Sequence, residues 1–451
     1  MKTGVTSTKH FASMGFRLDP SLHLSEGLQV REELAKSPYG LITINDVSEK
    51  VFLGNIFSRV FVKDKAHGKT YLAASDTVLA NIETGRYLSN KQAEQLKHLW
   101  LKKDWILVTC SGTLGNVTYT NSTFEDKIAT HDLIRIVPND KHILKGVVYA
   151  FLAGKFGYFQ ITQSQFGGVV KHTNDKEVGR IVIPNFPDDF QKKVDSLIQE
   201  SARLREEATF ALEEAHKLIE NNINIPEFSV SYSTSIKAIS KSHTTRLEGF
   251  YYSSENRHYY DEITSRYDCK TLKDYTEKVF RPGIFKREYV NNGVMFLGGA
   301  DIMMSIPRSE KQLSFRQVER MPELKVKKGW MLVTCGGTIG NTVYVDNQLA
   351  NCVISQHVMR VVPRKDVSSG FLYAFLSSKI GYKLITLFTY GAVIPSLEPH
   401  HLELVPIPPF DSEIILQTDK LVSDYTQKLE TSKEKEQMAI SMVEQEIEKW
   451  N

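Results

Sequence analysis

The sequence predicts a mixed α/β (α+β) fold: two similar globular domains joined by two long antiparallel coiled-coil helices, with an internal pseudo-two-fold repeat. Three observations carry this. First, WILVTCSGTLGN at 105–116 and WMLVTCGGTIGN at 330–341 agree at nine of twelve positions, 225 residues apart in a chain of 451. Second, further matches on both sides keep nearly that offset, which is far longer than the repeat of any solenoid unit. Third, each copy is followed by a long stretch without internal proline or glycine that carries helical periodicity.

Taken in chain order, RLD at 17–19 faces RLE at 246–248, and Asp76 in AASD faces Asp301 in GGAD. Lys102 and Lys103 precede the first matched tryptophan, and Lys327 and Lys328 precede the second. ILVTC and VTYT are β-rich runs joined by SGTLGN, so the glycines predict a tight turn within a hairpin. A phosphate-cradling loop would need a Lys-Ser/Thr ending and a following helix, and both are missing. Beyond the hairpins, RIVP (135–138) matches RVVP (360–363), YAFL (149–152) matches YAFL (373–376), and KFGY (155–158) matches KIGY (379–382). IVIPNF at 181–186 answers VPIPPF at 405–410 and closes each domain.

After each of these closures a helix is expected. Over 187–222, Val194, Leu197, Ser201, Leu204, Ala208, Ala211, Ala215 and Leu218 alternate spacings of three and four. That is a seam of small and apolar residues suited to close antiparallel helix packing. Over 411–451 the same texture returns less regularly with Leu421, Tyr425, Leu429, Ala439, Val443 and Ile447. At 1.5 Å per residue the first helix is about 50 Å long. Each seam needs a partner, and the other helix is the obvious one. The expected division is therefore a domain over 1–186, a spacer helix over 187–222, a second domain over 223–410 and a spacer helix over 411–451. The serine-rich run at the start of the second domain, NINIPEFSVSYSTSIKAISKSH, reads as a loosely structured connection.

Hydrophobic residues at 41% and charged residues at 24% are ordinary globular values, so neither disorder nor a membrane class is indicated. The apolar runs are too short for a membrane span, the N-terminus lacks an apolar signal core, and four cysteines without a CxxC pair give no disulfide framework. A cytoplasmic location is the expectation. Net charge is only +3, but the two helical stretches carry −4 and −5. The remaining residues therefore hold +12, the electrostatic footprint expected of domains that contact phosphate.

No catalytic or metal site is expected. Zincin, EF-hand, nucleophile-elbow and dinucleotide signatures are absent. His400 and His401 are adjacent and, on a strand, would face different ways; His131 and His357 stand one position out of register. Cys110 and Cys335 are equivalent but lie in apolar strands, where cysteine is ordinarily a small core residue. No cofactor is implied.

Two similar domains, each closed by IP-x-F and followed by a long helix, resemble the specificity (S) subunit of type I restriction-modification systems. RLD/RLE, the W-x-LVTC-x-GT-x-GN hairpins and the alternating helices carry the resemblance, which spans nearly the whole chain. It implies two target recognition domains, each reading one half of a bipartite, asymmetric double-stranded DNA site. It implies helices that set the spacing and dock methyltransferase subunits, two in number, with restriction/translocase subunits in the full bacterial or archaeal complex. The chain itself would be non-catalytic. The assembled complex would be a DNA adenine methyltransferase and ATP-dependent endonuclease. Two other readings stay open: a recognition subunit of another DNA-modifying or phage-defence methyltransferase, and a coiled-coil adaptor that does not touch DNA.

On a duplicated scaffold, shared polar residues should hold backbone and diverged loop residues should read bases. Ser111, Thr113, Asn116, Thr338 and Asn341 are the candidates for phosphate contact. Arg86, Tyr87, Lys171, His172, Arg287, Arg308, Lys311 and Tyr390 are the candidates for base reading. Arg86, Tyr87, Arg287, Arg308 and Lys311 sit in loops that do not match when KDKAHGK is set against RPGIFKRE, and TGRYLSNK against PRSEKQLS; Lys171 and His172 follow QFGGVV, which faces the YGAVIPSL that begins at Tyr390.

Overall fold

The computed structural model describes residues 8, 26–111, 114–163, 172–228, 235–241, 247, 249–391 and 395–450. They fall into two compact units, Met1–Glu206 with Thr431–Asn451, and Glu207–Glu430. The RLD/RLE pair lies outside the described residues apart from Leu247.

The first unit carries strands β1 (Leu41–Thr43), β2 (Ser48–Phe52), β3 (Phe61–Val62), β4 (Gly68–Leu72), β5 (Tyr87–Ser89), β6 (Ile106–Thr109), β7 (Val117–Tyr119), β8 (Ile128–Ala129), β9 (Leu133–Pro138) and β10 (Val182–Pro184). They form two four-stranded sheets, β2-β9-β6-β7 and β3-β5-β4-β8, and a ribbon β1-β10. The second unit carries β11 (Lys270–Thr271), β12 (Thr276–Phe280), β13 (Tyr289–Val290), β14 (Val294–Leu297), β15 (Gln312–Leu313), β16 (Met331–Thr334), β17 (Thr342–Tyr344), β18 (Val353–Ile354), β19 (Val358–Pro363) and β20 (Pro406–Ile407). Its sheets are β12-β19-β16-β17 and β13-β15-β14-β18, with a ribbon β11-β20. The topology is the same twice, down to the single parallel pair, β4 with β8 and β14 with β18.

The matched motifs explain this fold residue by residue. In β6, Ile106 and Val108 enter the main core, while Leu107 turns to a second cluster with Leu72 and Leu133. The strand is buried on both faces, which is why its sequence is a continuous apolar run rather than an alternation. In β16, Met331 and Val333 against Leu332 repeat this division. The YAFL sequences lie in helices Lys145–Ala153 and Ser369–Ser377, whose inner faces fill the two cores. The glycines of KFGY and KIGY let the next helix start against them. A Cβ on Gly157 would stand 2.4 Å from Leu152 Cα, and one on Gly381 would stand 2.1 Å from the Phe375 carbonyl oxygen.

Arg135 and Arg360, from RIVP and RVVP, are fully buried. Arg135 donates to the carbonyls of Leu133, Ala129 and Thr130, tying β8 to β9. Arg360 does the same with Ser355, Val358, Leu324 and Ile354. Burial pushes both guanidinium pKa values down, to about 10, so both stay charged at neutral pH.

The long helices are Asp188–Asn221 and Ser412–Glu448. They pair antiparallel. Ser201 Oγ donates to the Ser432 carbonyl at 2.9 Å, and Lys428 meets Glu207 at 3.2 Å. In each unit both helices grip the globular part. Asp195 and Asp419 accept the N–H groups of Gly146 and Gly370. Glu444 and Glu220, each from the other helix, accept the N–H groups of Lys155 and Lys379.

Of the serine-rich run after the first long helix, residues 229–234 and 242–243 lie outside the described residues, and its first residues are anchored. His258 contacts the Pro226 carbonyl at 2.8 Å and Arg266 donates to that of Asn224 at 3.2 Å, so these residues are tied to helix Glu255–Arg266. No described helix is long and apolar enough to cross a membrane.

Candidate nucleic-acid interface

Each hairpin ends in the same hydrogen-bonded clasp. Asn116 N–H donates to Thr109 Oγ1 at 3.0 Å, and Asn341 N–H to Thr334 Oγ1 at 3.1 Å. The last glycine of each turn has positive φ, +81° at Gly115 and +88° at Gly340. A Cβ at Gly115 would reach 2.9 Å from Tyr158, and one at Gly340 would reach 2.7 Å from Thr386. Threonine and glycine recur because the turn needs them, whereas the clasp uses only the backbone of the asparagine. The Asn341 side-chain nitrogen is nonetheless buried without a hydrogen-bond partner among the described residues, whereas Thr338 is exposed at the turn. Thr113 lies outside the described residues.

Beside each hairpin a returning segment forms one bridge, Ser111 with His172 in the first unit and Gly336 with Ser396 in the second. Thr173 N–H donates to the Cys110 carbonyl, and Leu397 N–H to that of Cys335, so the two bridges are equivalent. Lys171 lies outside the described residues. Tyr390 bridges to Ser396, and its hydroxyl donates to Glu398 Oε1 at 2.8 Å. That hydrogen bond raises the Tyr390 pKa. Arg281 closes the cluster with an ion pair to the same carboxylate at 2.5 Å.

A second group gathers at the starts of β5 and β15, central strands of the β3-β5-β4-β8 and β13-β15-β14-β18 sheets. The carbonyl of Arg86 accepts Tyr71 N–H at 2.8 Å, and the carbonyl of Lys311 accepts Phe296 N–H at 2.8 Å. Arg86 and Lys311 thus occupy the same place in the two copies. Arg86 is exposed and ion-paired with Asp76. Tyr87 is half-buried in β5 between β3 and β4. Arg308 is exposed near Lys311. Asp76 and Asp301 chiefly close local turns, accepting Ala73 N–H and Gly298 N–H.

Arg287 stands in the loop before β13, half-buried, with Nη2 donating to Gln356 at 3.3 Å. The residue that sequence comparison overlooked is Arg59, in the loop before β3. Setting KDKAHGK against RPGIFKRE hid a match, because IFSR at 56–59 faces IFKR at 284–287. The signal was present in the sequence but displaced from the segment compared.

The polar groups of the first unit form one chain of contacts. The Ser111–His172 bridge adjoins Cys110, whose N–H donates to the Asp132 carbonyl at 3.4 Å. Thr130, hydrogen-bonded to Asp132, accepts from Arg59, and Arg59 reaches Tyr71 beneath Arg86. The cysteines are core residues; burial pushes the Cys110 thiol up to about 12 and raises that of Cys335. His400 and His401 sit in a helical turn, Pro399–Leu402, with ring centroids 4.0 Å apart. The expectation that they diverge on a strand is corrected: in a helical turn successive side chains stand about 100° apart and are not directed to opposite faces as on a strand. No group of three or more metal-ligating side chains occurs among the described residues.

The two units are one scaffold bearing different polar groups at equivalent points. Residues 267–437 match the family of the type I restriction modification DNA specificity domain. By this stretch, 171 of its 451 residues, the chain is similar to that family. Among solved structures it is similar to the type I restriction-modification S subunit from M. genitalium, with 13% identity, 92% of this chain and 96% of that chain covered, and a TM-score of 0.35. It is also similar to the HsdS subunit from Thermoanaerobacter tengcongensis, with 14% identity, coverage of 90% and 96%, and a TM-score of 0.28. No curated protein matches the sequence.

Proposed function

We propose that this chain reads a bipartite, asymmetric double-stranded DNA target, one half-site by domain 1–186 and the other by domain 223–410. The observation that carries the reading is the equivalence of Arg86 with Lys311, and of His172 with Ser396, on matched frames. One scaffold bearing different donors at one place is what two different half-sites require. Lys171, Arg308, Tyr87 and Tyr390 complete the base-reading set. Ser111, Thr113, Asn116, Thr338 and Asn341 hold backbone at the hairpin turns.

The helices 187–222 and 411–451 fix the separation of the half-sites and dock methyltransferase subunits, two per chain. Exposed apolar side chains on them, Phe210, Leu416 and Met438, support a docking role. The chain acts in the bacterial or archaeal cytoplasm and does no bond chemistry itself. Modification, and cleavage where a restriction subunit is present, belong to its partners.

The deciding experiment is the methylome of cells with and without this gene. A bipartite motif whose methylation vanishes on deletion is expected; an unchanged methylome overturns the reading. Transfer of a labelled methyl group to DNA by the purified chain alone would overturn the non-catalytic assignment.

A further inference from the structure

The I-F-x-R loops recur in both units with an exposure that folding does not explain. Ile56 is 85% exposed and Ile284 is 93% exposed. A single exposed isoleucine is unremarkable. Here the same side chain stands out at the same place in both copies, while the positions other than the shared phenylalanine and arginine differ: Asn55 against Gly283, Ser58 against Lys286, Val60 against Glu288. An exposed apolar residue shared by two otherwise diverged loops points to a task common to both domains.

The arginine three residues on is held in the same way each time. The Arg59 guanidinium lies over Phe57 at 5.8 Å and Tyr71 at 5.5 Å. The Arg287 guanidinium lies over Phe285 at 6.0 Å and Phe296 at 5.4 Å. A third ring packs beside each pair, Phe61 on Tyr71 and Tyr289 on Phe296. The hydrogen-bond partners of these arginines, Tyr71 and Thr130 for Arg59 and Gln356 for Arg287, are neutral. Among the described residues neither arginine has a carboxylate partner. Aromatic rings fix a guanidinium in place without neutralising it. The result is an oriented, uncompensated cation beside a protruding aliphatic tip.

We propose that these loops make a sequence-independent contact with duplex DNA, in which Ile56 and Ile284 press into a base step and Arg59 and Arg287 take the adjacent phosphates. An apolar wedge next to a cation suits a duplex, whose backbone is anionic and whose base steps yield to inserted aliphatic side chains. The +12 carried by the residues outside the helices favours this partner over a protein. The contact is sequence-independent because both domains share it, whereas their base-reading positions differ. It assigns Arg287 to the backbone rather than to a base. This inference rests on the DNA-reading function proposed above.

The test uses the full chain and a 40-base-pair duplex of mixed sequence, with binding followed by anisotropy over a range of KCl concentrations. The double variant Ile56→Ser/Ile284→Ser should bind about tenfold more weakly, the scale expected for lost apolar burial, with its salt dependence unchanged. Its thermal unfolding should be that of wild type, because both side chains are exposed. The double variant Arg59→Gln/Arg287→Gln should lose about two from the slope of log affinity against log salt, one for each phosphate. Wild-type binding by the isoleucine variant overturns the proposal. So does unchanged DNA binding with lost copurification of a methyltransferase subunit, which would assign the loops to a protein partner. A wild-type chain that binds no duplex overturns it as well. An unchanged methylome on gene deletion refutes the half-site reading separately, whatever the variants do.

Discussion

Asp195 Oδ1 accepts the backbone N–H of Gly146 at 2.8 Å, fixing the start of helix Lys145–Ala153 against the first long helix. Asp419 and Gly370 make the same bond at 3.0 Å in the second unit. The approach is close enough to require glycine. A Cβ on Gly146 would stand 2.6 Å from the carboxylate oxygen and 2.8 Å from the Asp195 Cα.

Gly146→Ala should therefore destabilise the first unit by about 1–3 kcal/mol, as overpacking does. Gly370→Ala should do the same in the second. Denaturant unfolding measures the change, and an alanine variant as stable as wild type would show that helix and domain can separate without loss.

Where the first unit sets a charged pair between the helices, the second has leucine. Arg205 and Glu436 pair at 2.6 Å with little exposure, and Tyr149 donates to the same carboxylate. At the 224-residue offset that relates Asp195 to Asp419, the corresponding residues are Leu429 and Leu212. Glu436→Ala should cost about 3–5 kcal/mol, because it strands a buried guanidinium. The double change Arg205→Leu/Glu436→Leu, copying the second unit, should be neutral or stabilising. A double variant as unstable as the single one would mean the ion pair itself holds the helices.

His216 contacts Ser377 Oγ at 2.9 Å, and burial pushes its pKa down from 6.5 to about 4. The unfolded chain then binds a proton that the folded chain refuses. Its contribution to stability is full above about pH 6.5 and is lost as pH falls through 4. Wild type should lose thermal stability between pH 7 and pH 5 more steeply than His216→Gln. Parallel pH profiles for the two would place the acid sensitivity elsewhere.

Arg86 and Lys311 occupy one position on two frames, so their removal should be felt in different half-sites. Arg86→Ala should relax one base position read by the first domain, at about 1–3 kcal/mol of discrimination, and Lys311→Ala one read by the second. Competition binding against single-base variants of the methylome-derived target measures this. A uniform fall in affinity across those variants would make the residue a phosphate contact.

Much of the fold could be read directly. Duplication is visible as matched strings, hairpins as β-rich runs around positive-φ glycines, and the helices as apolar spacing without proline or glycine. Each of these is written locally, within one turn or a few residues, so no knowledge of distant neighbours is needed. The candidate interface was legible only in part. His172 and Ser396 could be paired from adjacent matched strings; Arg86 and Lys311 stand 225 residues apart, as the hairpins do, but in strings without a match, and the carbonyls that bond to β4 and β14 establish their equivalence. The IFSR/IFKR match was in view yet was passed over, because the loops were set against each other out of register.

What only tertiary structure decided is which distant segments meet. Ser201 read as a small seam residue, and neither Arg205 nor Glu436 belongs to the seams read from the spacing. They form a polar layer because antiparallel pairing brings residue 201 to 432 and 205 within reach of 436. Likewise nothing in KFGY or KIGY announces that Glu444 and Glu220, from the other helix, will hold those segments. A helical stripe records that a face will be buried. The register between two stripes depends on long-range packing, and that is set only when both helices and their domains fold together.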